Sequence, residues 1–102
     1  MYYTYLIRCK DNSLYCGITT DLNRRFTEHF EKSPKGAKYT HTHNPIKLEI
    51  AFMSENRSLS SKLEYQIKRL TKDKKENIIT TKSLGVLADK INIDNYTLVQ
   101  EK

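Results

Sequence analysis

One short run, Tyr15 to His29, limits what this chain can fold into more than any other part of it. Leu14 to Thr19 is apolar, aromatic and β-branched, and reads as a strand. Thr20 and Asp21 follow. An oxygen on either side chain can accept from the free amides of a helix's first turn. Leu22, Phe26 and Phe30 then recur every four residues, the apolar stripe of an amphipathic helix. Arg25 and His29 are also four apart and sit one step round, at the edge of that helix's buried face. Ser33-Pro34-Lys35-Gly36 marks its end.

The strand has a partner just upstream. Tyr2 to Cys9 is rich in Tyr, Ile and Leu. Lys10-Asp11-Asn12-Ser13 is turn chemistry, because Asp and Asn tolerate left-handed backbone and bond to it locally. The chain therefore opens with a β-hairpin. Its register decides which side chains meet. Side chains alternate along a strand, so Tyr5 and Tyr15 share a face only if paired residues have an even index sum. That requires an odd number of loop residues, for example Asp11-Asn12-Ser13 between Lys10 and Leu14.

Residues 35–45 read as a basic loop with Lys38, Tyr39, His41 and His43. Ile46, Leu48, Ile50 and Phe52 alternate with Lys47, Glu49, Ala51 and Met53, which predicts a third strand with one apolar face. Residues 57–71 carry a helical stripe of Leu59, Leu63, Ile67 and Leu70, with Glu64 and Lys68 beside it. A shorter helix is expected over 73–80. Beyond Gly85 the pattern weakens. Residues 86–91 suit a helix, and Tyr96-Thr97-Leu98-Val99 suits a last strand or an ordered tail.

The 102 residues make one domain with a net charge of +6. Residues 57–82 carry eight Lys and Arg against three acids, and residues 21–47 carry six against three. Basic charge gathered on two segments suits a phosphate backbone, although a solvated lysine-rich face gives the same count. No apolar run approaches the roughly 20 residues of a membrane span, and the start of the chain does not read as a signal peptide. Cys9 and Cys16 show no metal-ligand spacing. They read as small buried hydrophobes in a reducing, cytoplasmic compartment, with room to lie close together across the hairpin.

Five polar residues fall near buried surface: Tyr5, Tyr15, Arg25, His29 and Glu64. Each suits phosphodiester hydrolysis. One carboxylate is enough for Mg²⁺, which keeps waters and takes phosphate oxygens. An arginine fork can pair with a pentavalent phosphate. A tyrosine or histidine can orient the attacking water or take its proton.

Tyr5 in Thr4-Tyr5-Leu6, Tyr15-Cys16-Gly17, Arg25, His29 and the distant Glu64 together resemble the GIY-YIG nuclease superfamily. Thr4 and Leu6 differ from the letters of the first motif, and Cys16 replaces Ile in the second. Gly36-Ala37-Lys38-Tyr39-Thr40 and Glu64-Tyr65-x-Ile67-Lys68 narrow the likeness to small stand-alone bacterial members. The resemblance implies an α+β fold with a three-stranded antiparallel sheet flanked by helices. It implies a nuclease-like domain over 1–82, with 83–102 as a C-terminal extension packed on it or trailing it. It further implies a metal-dependent endonuclease that takes Mg²⁺ or Mn²⁺ on Glu64. Tyr5 and Tyr15 would flank the cleft, Arg25 would contact the scissile phosphate, and His29 would assist proton transfer. Asn77 is a candidate for the asparagine that follows the glutamate in many members. Gly17, Arg24, Lys38, Tyr39 and Lys68 are candidate nucleic-acid contacts. The substrate expected is DNA rather than RNA, branched, damaged or single-stranded, in repair or recombination, with no small-molecule cofactor and no membrane.

Other uses of these residues stay open. Glu64 follows Ser61 by three, a capping-box spacing, and precedes Lys68 by four, an ion-pair spacing. Arg25 can pair with Asp21, and the tyrosines can be ordinary strand aromatics. The competing function is a nucleic-acid-binding module that keeps the fold and cuts poorly or not at all. An adaptor that binds a protein through a sheet edge or the tail fits the charge less well.

Overall fold

The strand Tyr2–Cys9 (β1) is the spine of the molecule, and both of its faces are covered. A computed structural model describes residues 1–31 and 43–100. After β1 come β2 (Leu14–Thr19), α1 (Leu22–Phe30), β3 (Pro45–Ser54), α2 (Arg57–Lys68) and α3 (Lys72–Thr81). Two short 3₁₀ turns, Gly85–Leu87 and Ile93–Asn95, lead to β4 (Thr97–Leu98). The antiparallel sheet runs β2-β1-β3-β4. It has four strands rather than the expected three, because the tail returns to pair Leu98 with Phe52.

The hairpin register is even: Tyr5 lies opposite Gly17 and Ile7 opposite Tyr15. Its loop is Lys10-Asp11-Asn12, one residue earlier than the example given above but still odd. Cys9 N–H donates to the Ser13 carbonyl at 2.9 Å, and Asn12 N–H to the Cys9 carbonyl at 2.9 Å. Asn12 takes φ 69°, the left-handed residue that three-residue hairpin loops require. Cys9 and Cys16 therefore point to opposite faces. Both thiols are buried and free, so the hairpin does not use the room it had to bring them together.

One face of the sheet packs on α2, α3 and the C-terminal segment. Leu6, Leu14, Cys16, Ile50 and Phe52 meet Leu63, Ile67 and Ile78, and Leu84, Leu87, Ile91 and Tyr96 complete this core. The Tyr96 hydroxyl donates to the Leu59 carbonyl at 2.7 Å. The start of α2 is tied to the sheet by Thr4 Oγ1 donating to the Ser60 carbonyl and by a Ser54–Ser60 hydroxyl pair at 2.6 Å. These pairs satisfy polar groups that burial would otherwise leave costly.

The opposite face holds Tyr5, Ile7, Cys9 and Ala51 under Leu22 and Phe26 of α1. Asp21 caps α1 by accepting from Arg24 N–H at 3.1 Å. The helix presents Leu22, Phe26 and His29 to the sheet, not Phe30, which is 39% exposed and stacks on Phe26 at 5.2 Å. The expected apolar face of β3 is also broken. A bulge at Glu49, between the pairs Leu6–Ile50 and Ile7–Leu48, moves Leu48 to the α1 face. Ile46 is left 58% exposed. The bulge turns Glu49 to Arg8, which donates to it at 2.8 Å and also grips Glu76 of α3. Two elements far apart in sequence are thereby clamped at the hairpin end of β1.

Candidate active site

The strand order places β2 at an edge, with α1 on one face of the sheet and α2 on the other. Tyr5 comes from the next strand in, yet its phenol reaches over β2 because Gly17 has no side chain. A Cβ at Gly17 would overlap the Tyr5 hydroxyl, lie 2.7 Å from Tyr5 Cζ and lie 3.1 Å from Tyr15 Cε2. Gly17 is therefore structural support for Tyr5. Among the described residues no glycine has positive φ, so it is space that glycine supplies here and not backbone freedom.

Tyr5, Tyr15 and His29 form a cluster of rings, with centroids 6.3 Å apart for the tyrosines, 5.8 Å for Tyr5–His29 and 5.4 Å for Tyr15–His29. Tyr5 is 2% exposed. Burial drives its phenol well above the ordinary tyrosine range, and a hydrogen bond from Arg25 offsets only part of this. The phenol therefore keeps its proton at neutral pH. Arg25 Nε–H can only donate, and it faces the Tyr5 oxygen at 3.4 Å. Tyr5 Oη and His29 Nε2 share a hydrogen bond at 2.9 Å, its direction set by the imidazole tautomer. His29 is fully buried rather than at the edge of the helix's buried face, because α1 lies with its i, i+4, i+7 row on the sheet.

Arg25 pairs with Glu28 at 2.9 Å, one turn on, and not with Asp21, whose carboxylate is used as the cap. Burial opposes the Arg25 charge, and the hydrogen bonds to Glu28 and Tyr5 outweigh it, so the guanidinium stays charged. Glu64 comes from the other side of the sheet. Lys68 Nζ lies 3.5 Å from its carboxylate and 5.9 Å from the Tyr15 ring centroid. The two faces thus meet round the β2 edge, through Tyr15 and Lys68. Asn56 caps α2 by accepting from Leu59 N–H, so Ser61 and Glu64 do not make a capping box. Cys16 lies beneath this junction. Burial and then the Glu64 charge push its thiol up to about 12.

The remaining candidates are scattered. Arg24 is exposed on α1. Asn77 is exposed on α3, with its backbone carbonyl accepting from Thr81. Lys38 and Tyr39 lie outside the described residues. The contact of Lys68 with Tyr15 has no signature in the sequence pattern. It depends on the tilt of α2 over an edge strand, which periodicity does not encode.

Residues 1–77 match the family model for the GIY-YIG catalytic domain. The chain belongs to the GIY-YIG family. This GIY-YIG protein is 47% identical over 79 residues to a UPF0213 protein of Fusobacterium nucleatum, covering 78% of this chain and 77% of the relative. It is 49% identical over 75 residues to a UPF0213 protein of Vibrio campbellii, covering 74% and 70%. The solution NMR structure of a UPF0213 protein from Bacillus halodurans is similar at TM-score 0.52 and 35% identity, covering 88% of this chain and 95% of that one. GIY-YIG domains form a nuclease superfamily, which implies a nucleic-acid substrate and, in general, a divalent metal.

Among the described residues no three His, Cys, Asp or Glu side chains converge as a metal cage. The partly exposed Glu64 carboxylate could hold Mg²⁺ or Mn²⁺, with waters and substrate oxygens completing the shell. No helix among the described residues is long and apolar enough to cross a membrane.

Proposed function

We propose that this GIY-YIG protein is a metal-dependent endonuclease that hydrolyses DNA phosphodiester bonds at the β2 edge, between α1 and α2. The observation that carries the reading is the chain of contacts from Arg25 through Tyr5, His29 and Tyr15 to Lys68 and Glu64. A phosphate seated over this edge meets the Arg25 guanidinium, whose planar fork matches its equatorial oxygens. Tyr15 orients the attacking water, and as its oxygen takes that water's proton its own hydroxyl proton passes on to solvent. It is the partly exposed tyrosine of the pair, whereas Tyr5 is buried and holds its proton. Tyr5 and His29 are positioning residues, which fix Arg25 and the Tyr15 ring from below. Glu64 and the phosphate oxygens would hold the Mg²⁺ or Mn²⁺, whose charge would stabilise the transition state and the leaving oxygen. Lys68, already on Glu64 and Tyr15, is free to move to a neighbouring phosphate once the cation takes the carboxylate.

Branched, damaged or single-stranded DNA suits an edge site that has only one short strand beside it, and repair or recombination would supply such substrates. The test is incubation with single-stranded, duplex and branched DNA and with RNA, in Mg²⁺ and in EDTA, beside Glu64→Ala. Cutting that needs metal and is lost in Glu64→Ala supports the proposal. Binding without cutting under every condition, unaffected by Glu64→Ala, would instead make the protein a binding module.

A further inference from the structure

A second basic site adjoins the first. Where β1 begins, β2 ends and α1 and α2 both start, an open groove of about 350 Å³ is lined by Arg24, Arg25, Arg57, Tyr2, Thr20 and Glu28, among others. Three arginines there face one carboxylate, and that carboxylate is paired with Arg25. Among the described residues, the Arg24 and Arg57 side chains have neither a hydrogen-bond nor an ion-pair partner. Both residues are exposed. Arg57 is also the first residue of α2, where no acid occupies the first turn. A cation there opposes the helix dipole, so folding gains nothing from its charge. An anion in the groove would relieve this conflict and pair with both guanidinium groups.

We propose that Arg24 and Arg57 hold a backbone phosphate of the substrate strand that flanks the scissile one. This rests on the nuclease reading above and adds to it the path of the strand. Arg25 lines both sites, so the groove continues the candidate active site rather than standing apart from it. From Tyr15 to Thr19 the edge strand rises roughly 13 Å, at about 3.3 Å per residue, so the two phosphates are separated by a few nucleotides. Tyr2 offers an aromatic wall against which an intervening base can stack. Arg57 is not among the motif residues that carry the family resemblance, so the motifs alone do not point to it.

The test uses the full chain in EDTA, so that nothing is cut, and a labelled single-stranded DNA whose affinity is followed against salt by fluorescence anisotropy. Arg57→Ala and Arg24→Ala should each weaken binding about threefold to tenfold and lower the salt slope by about 0.7, one phosphate's share on a single strand. Arg57→Lys should restore most of the slope, and Lys90→Ala, on the far turn, should change neither quantity. Thermal midpoints confirm that the variants fold. Replacing single phosphates by neutral methylphosphonates should reveal one flanking position that weakens wild type but not Arg57→Ala. An unchanged slope in Arg57→Ala, or equal sensitivity of both proteins at every position, overturns the proposal while leaving the nuclease reading intact. Wild type that neither binds nor cuts any nucleic acid overturns both.

Discussion

Replacing Gly17 by alanine isolates the contact that lets Tyr5 reach the site. With no left-handed backbone at Gly17, alanine is compatible with its conformation. On its own the substitution should stabilise by about 0.4–1 kcal/mol, because it reduces the freedom of the unfolded chain. Here the new Cβ would lie 2.7 Å from Tyr5 Cζ and overlap the hydroxyl, while ordinary contact begins at 3.4 Å. The ring must therefore retreat by about 0.7 Å or more, and overpacking of this kind costs about 1–3 kcal/mol. The 2.9 Å bond to His29 does not survive such a shift, and a buried nitrogen left unpaired costs about 1–3 kcal/mol more. Net destabilisation should be about 2–4 kcal/mol by urea unfolding, or about 10–20 °C in thermal midpoint. Cleavage should fall about a hundredfold, as a misplacement approaching 1 Å predicts, with binding of uncut DNA retained. The control is the same change in a Tyr5→Leu background, which lacks Cζ and the hydroxyl. There Gly17→Ala should be neutral or stabilising. An equal loss in both backgrounds would refute the steric account.

Other outcomes separate the remaining roles. Tyr5→Phe should cost about 1–3 kcal/mol, since His29 loses a buried hydrogen-bond partner, whereas Tyr15→Phe should leave stability within about 1 kcal/mol and abolish cleavage; urea melts and single-turnover rates measure the two effects. Arg8 holds the Glu76 carboxyl below its ordinary value of 4.5, so the native state binds that proton less readily than the unfolded chain. The stability this confers is complete above the ordinary value and is lost as pH falls through the lowered one. Urea midpoints between about pH 5 and 3 should therefore drop more steeply in wild type than in Glu76→Gln. Cys9 and Cys16 are buried and unpaired, so a thiol-specific reagent should label neither until the protein unfolds, and reductant should leave the thermal midpoint unchanged.

Local rules carried the sequence reading a long way. The hairpin, its odd loop and the shared face of Tyr5 and Tyr15 follow from turn chemistry and strand alternation, and all three appear in the register of β1 and β2. The strand-to-helix run was equally legible, with the cap narrowed to Thr20 or Asp21, and it is Asp21 that accepts from Arg24 N–H. The errors have a common cause in tertiary packing. Phe30 fits the stripe of α1 as well as His29 does in spacing, but how the helix rolls on the sheet buries the histidine, because Tyr5 offers it a hydrogen bond there. The alternation of β3 is unbroken in sequence, yet the pull of Arg8 on Glu49 accompanies a bulge that sends Leu48 to the other face. Within the candidate site, the residue types of Tyr15, Arg25 and Glu64 were visible. The passage of Lys68 round the edge strand was not, since it depends on how α2 lies across the sheet.

If residues from both faces of the sheet serve one metal-assisted centre at the β2 edge, a cation there must lie close to both. Paramagnetic broadening by Mn²⁺ tests it most directly, on isotope-labelled protein bound to a non-cleavable oligonucleotide. The amides of Tyr15 and Gly17 should broaden together with those of Arg25 on α1 and Glu64 and Lys68 on α2, and Glu64→Ala should remove the effect. Broadening confined to one face, or unchanged by Glu64→Ala, would contradict one shared centre.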